Sequence, residues 1–416
     1  MVTLALTSGV LDAAALRVED LSATPSWRAE IPNASTAWSP VFAQRDVYVP
    51  TAVGVAAYPR RCADPCDPRW ISSLREDRTG YLVAAHAGYV TVAGERRLHV
   101  FDAGCADDGG TCRPLWSVHG RAMSAHVVGP SLVATFSKAA GIRVAVFPLA
   151  CTDACDPTWS RLLRGRYPSY GDPVLVDGTL YVRRGAVLYG VSVGCARGAN
   201  CGVSFRVGHV PDATYPAVTV GRVIFGTGRD DGTELAAYPV GCGHDCEPVW
   251  TADAGGYVES APEVAGNLVV TWSKGLVVTF PIACTDPCAP TWVGRTRPYA
   301  VVDHADEELI VAVSYLPHPA VYAFPTDCPA ICEPTWVRRY ADDVEPYGSD
   351  IDGNHLFLAF TERIVAYDLQ TGSRSWRGTL DAGSGWWVDA GRRSLVVVLR
   401  TGFGGGSRLN GFIAAP

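Results

Sequence analysis

GGYVESAPEVAGNLVVTWSKGLVVTFPIACTDPCAPTW, residues 255–292, decides how the chain is read. A first short segment ends in the turn Ala265-Gly266-Asn267, and 268–272 is a β-branched and aromatic run. Ser273-Lys274-Gly275 has the composition of a tight hairpin turn, because a two-residue loop between right-twisted strands needs positive φ. A second apolar run follows over 276–282, then a loop holding Cys284 and Cys288, then a short strand at Trp292. Nothing here repeats every 3.6 residues for long enough to form a core helix, and elsewhere only 13–21 could be helical.

The same unit recurs along the chain. The 14 cysteines fall into seven close pairs, 62/66, 105/112, 151/155, 195/201, 242/246, 284/288 and 328/332, whose first members lie 43, 46, 44, 47, 42 and 44 residues apart. An aromatic closes each unit, at Trp70, Trp116, Trp159, Phe205, Trp250, Trp292 and Trp336, and continues without cysteines at Trp27 and Trp376. Four short strands per roughly 44 residues is the arithmetic of a propeller blade. The expectation is therefore an all-β chain, one β-propeller of four-stranded blades over 1-416. Complete units are 28-70, 71-116, 117-159, 160-205, 206-250, 251-292, 293-336 and 337-376, with terminal fragments 1-27 and 377-416. An N-terminal strand at Trp27 that paired with the C-terminal fragment would hide both sheet edges and make nine blades.

The unit resembles the quinoprotein-type (PQQ-like) propeller repeat. IVAYDLQTGSRSW, residues 364–376, carries that repeat's Ala366, Asp368, Thr371, Gly372 and Trp376 in register, and in the other units a cysteine loop replaces the Asp–Thr–Gly turn. This variant is similar to secreted actinobacterial members. The resemblance covers nearly the whole chain and implies eight blades, the family's usual number, so the eight-bladed form is favoured. It also implies that the edge tryptophans pack between neighbouring blades. About function the repeat is nearly silent.

A disulfide needs Cα atoms within about 7 Å, whereas positions i and i+4 of an extended strand lie about 13 Å apart. Each C-x3-C segment can close only by folding back, and its Asp and Pro residues supply that turn chemistry. Zinc suits these spacings poorly, since zinc sites pair C-x2-C with a second ligand pair, and His244 lies between cysteines in one unit only. Seven local disulfides are expected, with free thiols the alternative. Disulfides imply an oxidising compartment.

The chain is 48% hydrophobic and 19% charged, the balance of a globular protein, and its net charge of −7 without a basic run argues against nucleic acid. The longest apolar runs, such as 394–399, fall far short of the ~20 residues of a membrane helix, so no transmembrane segment is expected here. The N-terminal MVTLALTSGVLDAAALRVED lacks a basic region and carries Asp12, a poor signal peptide. The cysteines outweigh it, and an extracellular or cell-surface protein is expected.

Eleven residues after each edge aromatic, where the inner strand of the next blade begins, stand Trp38, Tyr81, Val127, Tyr170, Pro216 beside Tyr215, Ala261, Asp303, Tyr347 and Trp387. Inner strands line a propeller's channel, so Trp38, Tyr81, Tyr170, Tyr215, Tyr347 and Trp387 are candidate ligand-binding residues at an aromatic mouth; the bland alternative is packing between blades. Asp350-Ile351-Asp352-Gly353-Asn354 only faintly resembles a calcium loop and coincides with a hairpin position, as does Arg229-Asp230-Asp231-Gly232. The glycine-rich 402–406 lacks a following Lys-Ser/Thr, and Asn33-Ala34-Ser35 fits a glycosylation acceptor that is common by chance. No Ser/His/Asp or Cys/His constellation stands out. Quinone-dependent enzymes of the resembling family use adjacent cysteines and a calcium held by Glu, Asn and Asp; no two cysteines are adjacent here. The expectation is a monomer without catalytic residues, metal or cofactor, acting as a protein- or glycan-binding scaffold. The alternatives are a PQQ-dependent oxidoreductase and the sensor ectodomain of a membrane receptor.

Overall fold

A computed structural model describes residues 16–31, 40–43, 45–51, 54–72, 74, 82–86, 88–106, 109–151, 153–164, 173–193, 202–208, 214, 216–219, 221–229, 232–244, 246–256, 261–298, 300–315, 318–341, 346–391, 394–400 and 407–414. Within the opening repeat the strands are Glu263–Ala265, Leu268–Ser273, Leu276–Pro281 and Trp292–Arg295, paired antiparallel in chain order. Ser273 faces Leu276 across a two-residue turn in which Lys274 and Gly275 both take positive φ, 47° and 82°. That conformation matches the twist of the flanking strands. The one helical element described is a 3-10 turn, Val18–Asp20.

Eight hydrogen-bonded sheets build the propeller, in the number and with the four-stranded blades expected. The eighth is double. Strand His355–Asp368 folds back at Glu362 (φ 58°), bringing the Leu369 N–H within 2.9 Å of the Asn354 carbonyl. Strand Arg374–Gly391 then crosses from the outer edge of that unit, pairing with 363–367, to the inner position of another, pairing with Ser394–Arg400. The terminal pieces complete this second unit: Trp27–Ile31 lies antiparallel along Ser407–Ile413, with Trp27 opposite Gly411. The N-terminal strand thus closes the ring. Among the described residues, apolar seams join each unit to the next, two of them flanking the closing unit.

Each sheet is buried on both faces. On Asp46–Thr51, Val47 and Val49 enter the seam with the closing unit, while Tyr48 enters the seam on the other side. The edge tryptophans act across these seams. Trp27, Trp70, Trp116, Trp250 and Trp292 are fully buried. The indole N–H donates to a carbonyl of the next unit: Trp70 to Ala103 (3.0 Å), Trp116 to Leu149 (3.1 Å), Trp292 to Thr326 (3.0 Å). At the closure Trp376 donates to Leu21 (3.2 Å), so the N-terminal segment supplies the acceptor. An aromatic on the next unit packs against several of these rings, as in Trp70–Phe101 and Trp292–Phe324.

The cysteine loops act on their neighbours as well. Six pairs are bonded, Cys62–Cys66, Cys105–Cys112, Cys151–Cys155, Cys242–Cys246, Cys284–Cys288 and Cys328–Cys332, with Cα atoms 5.5 to 5.9 Å apart. Cys195 and Cys201 lie outside the described residues. Four loops lay a short parallel strand on the outer edge of the preceding unit, as in Ser72↔Cys112 and Gly294↔Cys332. In two others a single amide does it: Cys66 donates to Arg28 (2.7 Å) and Cys288 to Thr251 (2.8 Å). An uncovered edge strand is a template for association, and these loops cover it. In the cysteine-free unit Asp368 accepts from the backbone and hydroxyl of Thr371, both at 2.8 Å, and Arg338 of the preceding unit donates to the Gly372 carbonyl at 2.5 Å. Gly372 (φ 62°) lies against Trp336, where a Cβ would come within 2.5 Å of the ring. The two turn chemistries do one job.

Candidate functional site

The first residues of the inner strands form one mouth of the channel. Tyr347 precedes the inner strand Gly348–Asp352, and its N–H bonds the Ala359 carbonyl at 2.9 Å. On the neighbouring inner strand the register slips between Gly385, opposite Leu399, and Trp387, opposite Val398, leaving Trp386 as the extra residue of a β-bulge. A bulge re-aims the side chain it carries. Trp386 is 37% exposed, its ring stacked on Tyr347 (centroids 6.0 Å, planes 17° apart) with the Arg400 guanidinium 4.9 Å from its centroid. Gly348 permits the approach, since a Cβ there would stand 2.7 Å from the Trp386 carbonyl oxygen.

The sequence-based candidates divide accordingly. Tyr347 belongs to the mouth. Trp387 is half-buried against the closing seam with Phe42 and Val398. Trp38, Tyr81, Tyr170 and Tyr215 lie outside the described residues. Trp386 was missed because a fixed spacing of eleven residues from the edge aromatic takes no account of a bulge and lands on its neighbour. The doubled Trp-Trp was the available signal.

Below the mouth, adjacent inner strands line one arc of the channel with acids. Asp303 is itself a bulge residue, between Val302 and His304. Its carboxylate is open to water yet enclosed by protein; this burial raises its affinity for a proton, partly offset by the Ser349 hydroxyl donating at 2.7 Å. Burial likewise raises Glu263, against the opposing influence of His304. Asp350 is pushed up to about 6, first by burial and then by Asp389 and Asp303, although the Ala390 N–H donates to it at 2.6 Å. Asp350 therefore sits on the inner strand and not in a turn; the hairpin follows at 353–354. Asp352 accepts from the Leu16 N–H (2.9 Å) and Asn354 donates to Asp368 (2.7 Å), so this segment is hydrogen-bonded into the fold. Arg229 pairs with Gly232 across a hairpin, and His244 lies on the short strand beside Arg206. Asn33, Ala34, Ser35 and the glycines at 402–406 fall outside the described residues. Among the described residues no group of three or more His, Cys, Asp or Glu is placed to hold a metal ion, and no helix is long and apolar enough to cross a membrane.

Chemically, the mouth offers a flat indole edged by a phenol and a guanidinium, with enclosed carboxylates beneath. It can stack a ring and accept hydrogen bonds from hydroxyls.

Fold and site together define a β-propeller with disulfide-held loops. No protein-family model matches the sequence, and no curated protein matches it. Among solved structures it is similar to the computationally designed Ika8 protein, with a TM-score of 0.53 at 9% identity, covering 93% of this chain and 99% of that one. It is also similar to Sqt1 of Saccharomyces cerevisiae (TM-score 0.52, 11% identity, 84% and 99% covered) and of Chaetomium thermophilum (TM-score 0.51, 11% identity, 94% and 98% covered). At such identities the likeness is one of fold.

Proposed function

We propose that this chain is a non-catalytic binding propeller, exported or held at the cell surface, that captures a glycan by stacking a sugar ring on Trp386. The bulge that turns Trp386 outward, against Tyr347 and Arg400, carries the reading. A large ring held partly open to solvent at a concave mouth is the usual means of gripping a flat ligand face. The carboxylates below it suit hydroxyl donors. Six bonded cysteine pairs support an oxidising, extracellular setting. The Asp368–Gly372 turn, docking where the cysteine loops dock, supports descent from the quinoprotein-type repeat.

The test is retention on a panel of immobilised neutral and acidic oligosaccharides, comparing the wild type with Trp386→Ala and Tyr347→Ala. Trp386→Ala is expected to lose at least about tenfold in affinity, the order of a removed stacking contact plus its area. Tyr347→Ala should lose less. Retention of no oligosaccharide by the wild type, or equal retention by the Trp386 variant with its melting curve unchanged, would overturn the proposal.

A further inference from the structure

The opposite end of the channel holds a cavity of about 800 Å³, walled by the turns that follow the inner strands of four successive units across the ring closure. Two ion pairs, each with one buried and one half-buried partner, stand at its wall. Arg60, 7% exposed, is bonded to the Asp389 carboxylate, to the Ser394 hydroxyl (3.1 Å) and to the Gly391 carbonyl (3.3 Å). Asp46, also 7% exposed, is held by Arg69 at 2.9 and 3.2 Å. Partly buried pairs contribute little net stability compared with apolar packing of the same volume, so their use in the wall of an open cavity points to a ligand that needs them. Each paired carboxylate keeps lone pairs free for hydroxyl donors while its charge is cancelled.

The rim is not cancelled. Arg45 and His86, on the turns of adjacent units, both line the cavity and are exposed, and neither side chain has an ion-pair or hydrogen-bond partner among the described residues. Tyr89 and Phe42 add ring faces beside them. Asp352 lies on the other side of the Asp389 turn, two units from Arg45. The cavity thus has a cationic end, a middle of charge-cancelled acceptors flanked by aromatic rings, and an acidic end.

From this arrangement we infer a second binding site, for a short saccharide that carries an anionic group on one ring. The anion meets Arg45 and His86, the ring hydroxyls donate to Asp46 and Asp389, and an uncharged polyhydroxyl end faces Asp352. The anionic group is a carboxylate or a phosphate ester; Arg45 would fork onto either. The site is independent of the Trp386 mouth, being built from the other ends of the inner strands.

Calorimetric titration with digalacturonate, with a hexose 6-phosphate and with the neutral disaccharide maltose tests it. The wild type should bind at least one anionic probe about tenfold or more tightly than maltose, the scale of one charge-assisted bidentate contact. Arg45→Ala should abolish that preference, Arg45→Lys should restore part of it, and Trp386→Ala should leave it intact. Arg45 is exposed, so the variant's melting temperature should match the wild type and show it folded. The relative affinities of digalacturonate and the phosphate identify which anion is preferred. The inference is overturned if neither anionic probe binds at 10 mM (roughly a −2.7 kcal/mol threshold), if maltose binds equally, or if Arg45→Ala keeps the preference. Loss of binding in Trp386→Ala alone would assign the sugar to the other mouth.

Discussion

Closure of the ring by its N-terminal strand makes a sharp prediction about two residues at opposite ends of the chain. Gly411 stands opposite Trp27, and a Cβ added there would overlap the indole at Cε2, Nε1 and Cζ2. The ring has no room to yield: Trp27 is 0% exposed, and its N–H donates to the Arg60 carbonyl at 3.2 Å. Gly411 is not in the left-handed region, so Gly411→Ala tests packing and not backbone strain. Overpacking at a locked site costs about 2–3 kcal/mol. Trp27→Ala costs about 3–5 kcal/mol as a buried aromatic truncation, and about 1 more for the orphaned carbonyl. In the double variant the new methyl enters the space the indole left, so Gly411→Ala adds less than about 0.5 kcal/mol, a coupling of about 2 kcal/mol. Urea unfolding of both singles and the double, followed by far-ultraviolet circular dichroism, reads it. A Gly411→Ala penalty that is equal in both backgrounds would refute the closure.

Two further outcomes follow from the channel and the loops. Asp350 binds a proton up to about pH 6 when folded, against about 3.9 unfolded. Its contribution is therefore fully present below about pH 4 and is lost as pH rises through about 6. Asp350→Asn keeps an acceptor for Ala390, so it should stabilise the protein by about 1–2 kcal/mol at pH 7–8, leave it unchanged near pH 4 and flatten the slope between. Thermal melts across that range check the sign. Replacing Cys284 and Cys288 by serine should destabilise by up to about 2 kcal/mol. Because the loop grips the preceding unit through Cys288 to Thr251 and Thr251 to Asp286, hydrogen exchange should quicken at Thr251 as well as in the loop. Acceleration confined to 284–288 would contradict the interlock.

What the sequence made legible was whatever repeats. The spacing of tryptophans and cysteines gave the propeller, its four-stranded unit and the turn at Lys274-Gly275, because each blade must present the same aromatic to the same seam. What lay across a seam was hidden. Cysteine spacing showed that each loop folds back on itself, and not that Cys112 or Cys332 would pair with the strand before it. Trp387 was chosen over Trp386 because the eleven-residue spacing from Trp376 takes no account of the bulge residue that intervenes. Asp350 was read as part of a turn because its Asp-x-Asp-Gly-Asn surroundings are turn chemistry, yet the strand runs on to Asp352. The cavity could not be read at all, since Arg45, His86, Asp352 and Asp389 converge only when the chain's ends meet.

The proposed export stands on an oxidising compartment, and the redox state of the cysteines tests it most directly. Protein isolated from its native source is denatured without reductant, treated with iodoacetamide and weighed, then digested. The account predicts no alkylated cysteine among the 14, with peptides joined as local pairs such as 62–66 and 284–288. Fourteen alkylated cysteines would contradict it, and with it the export of the protein.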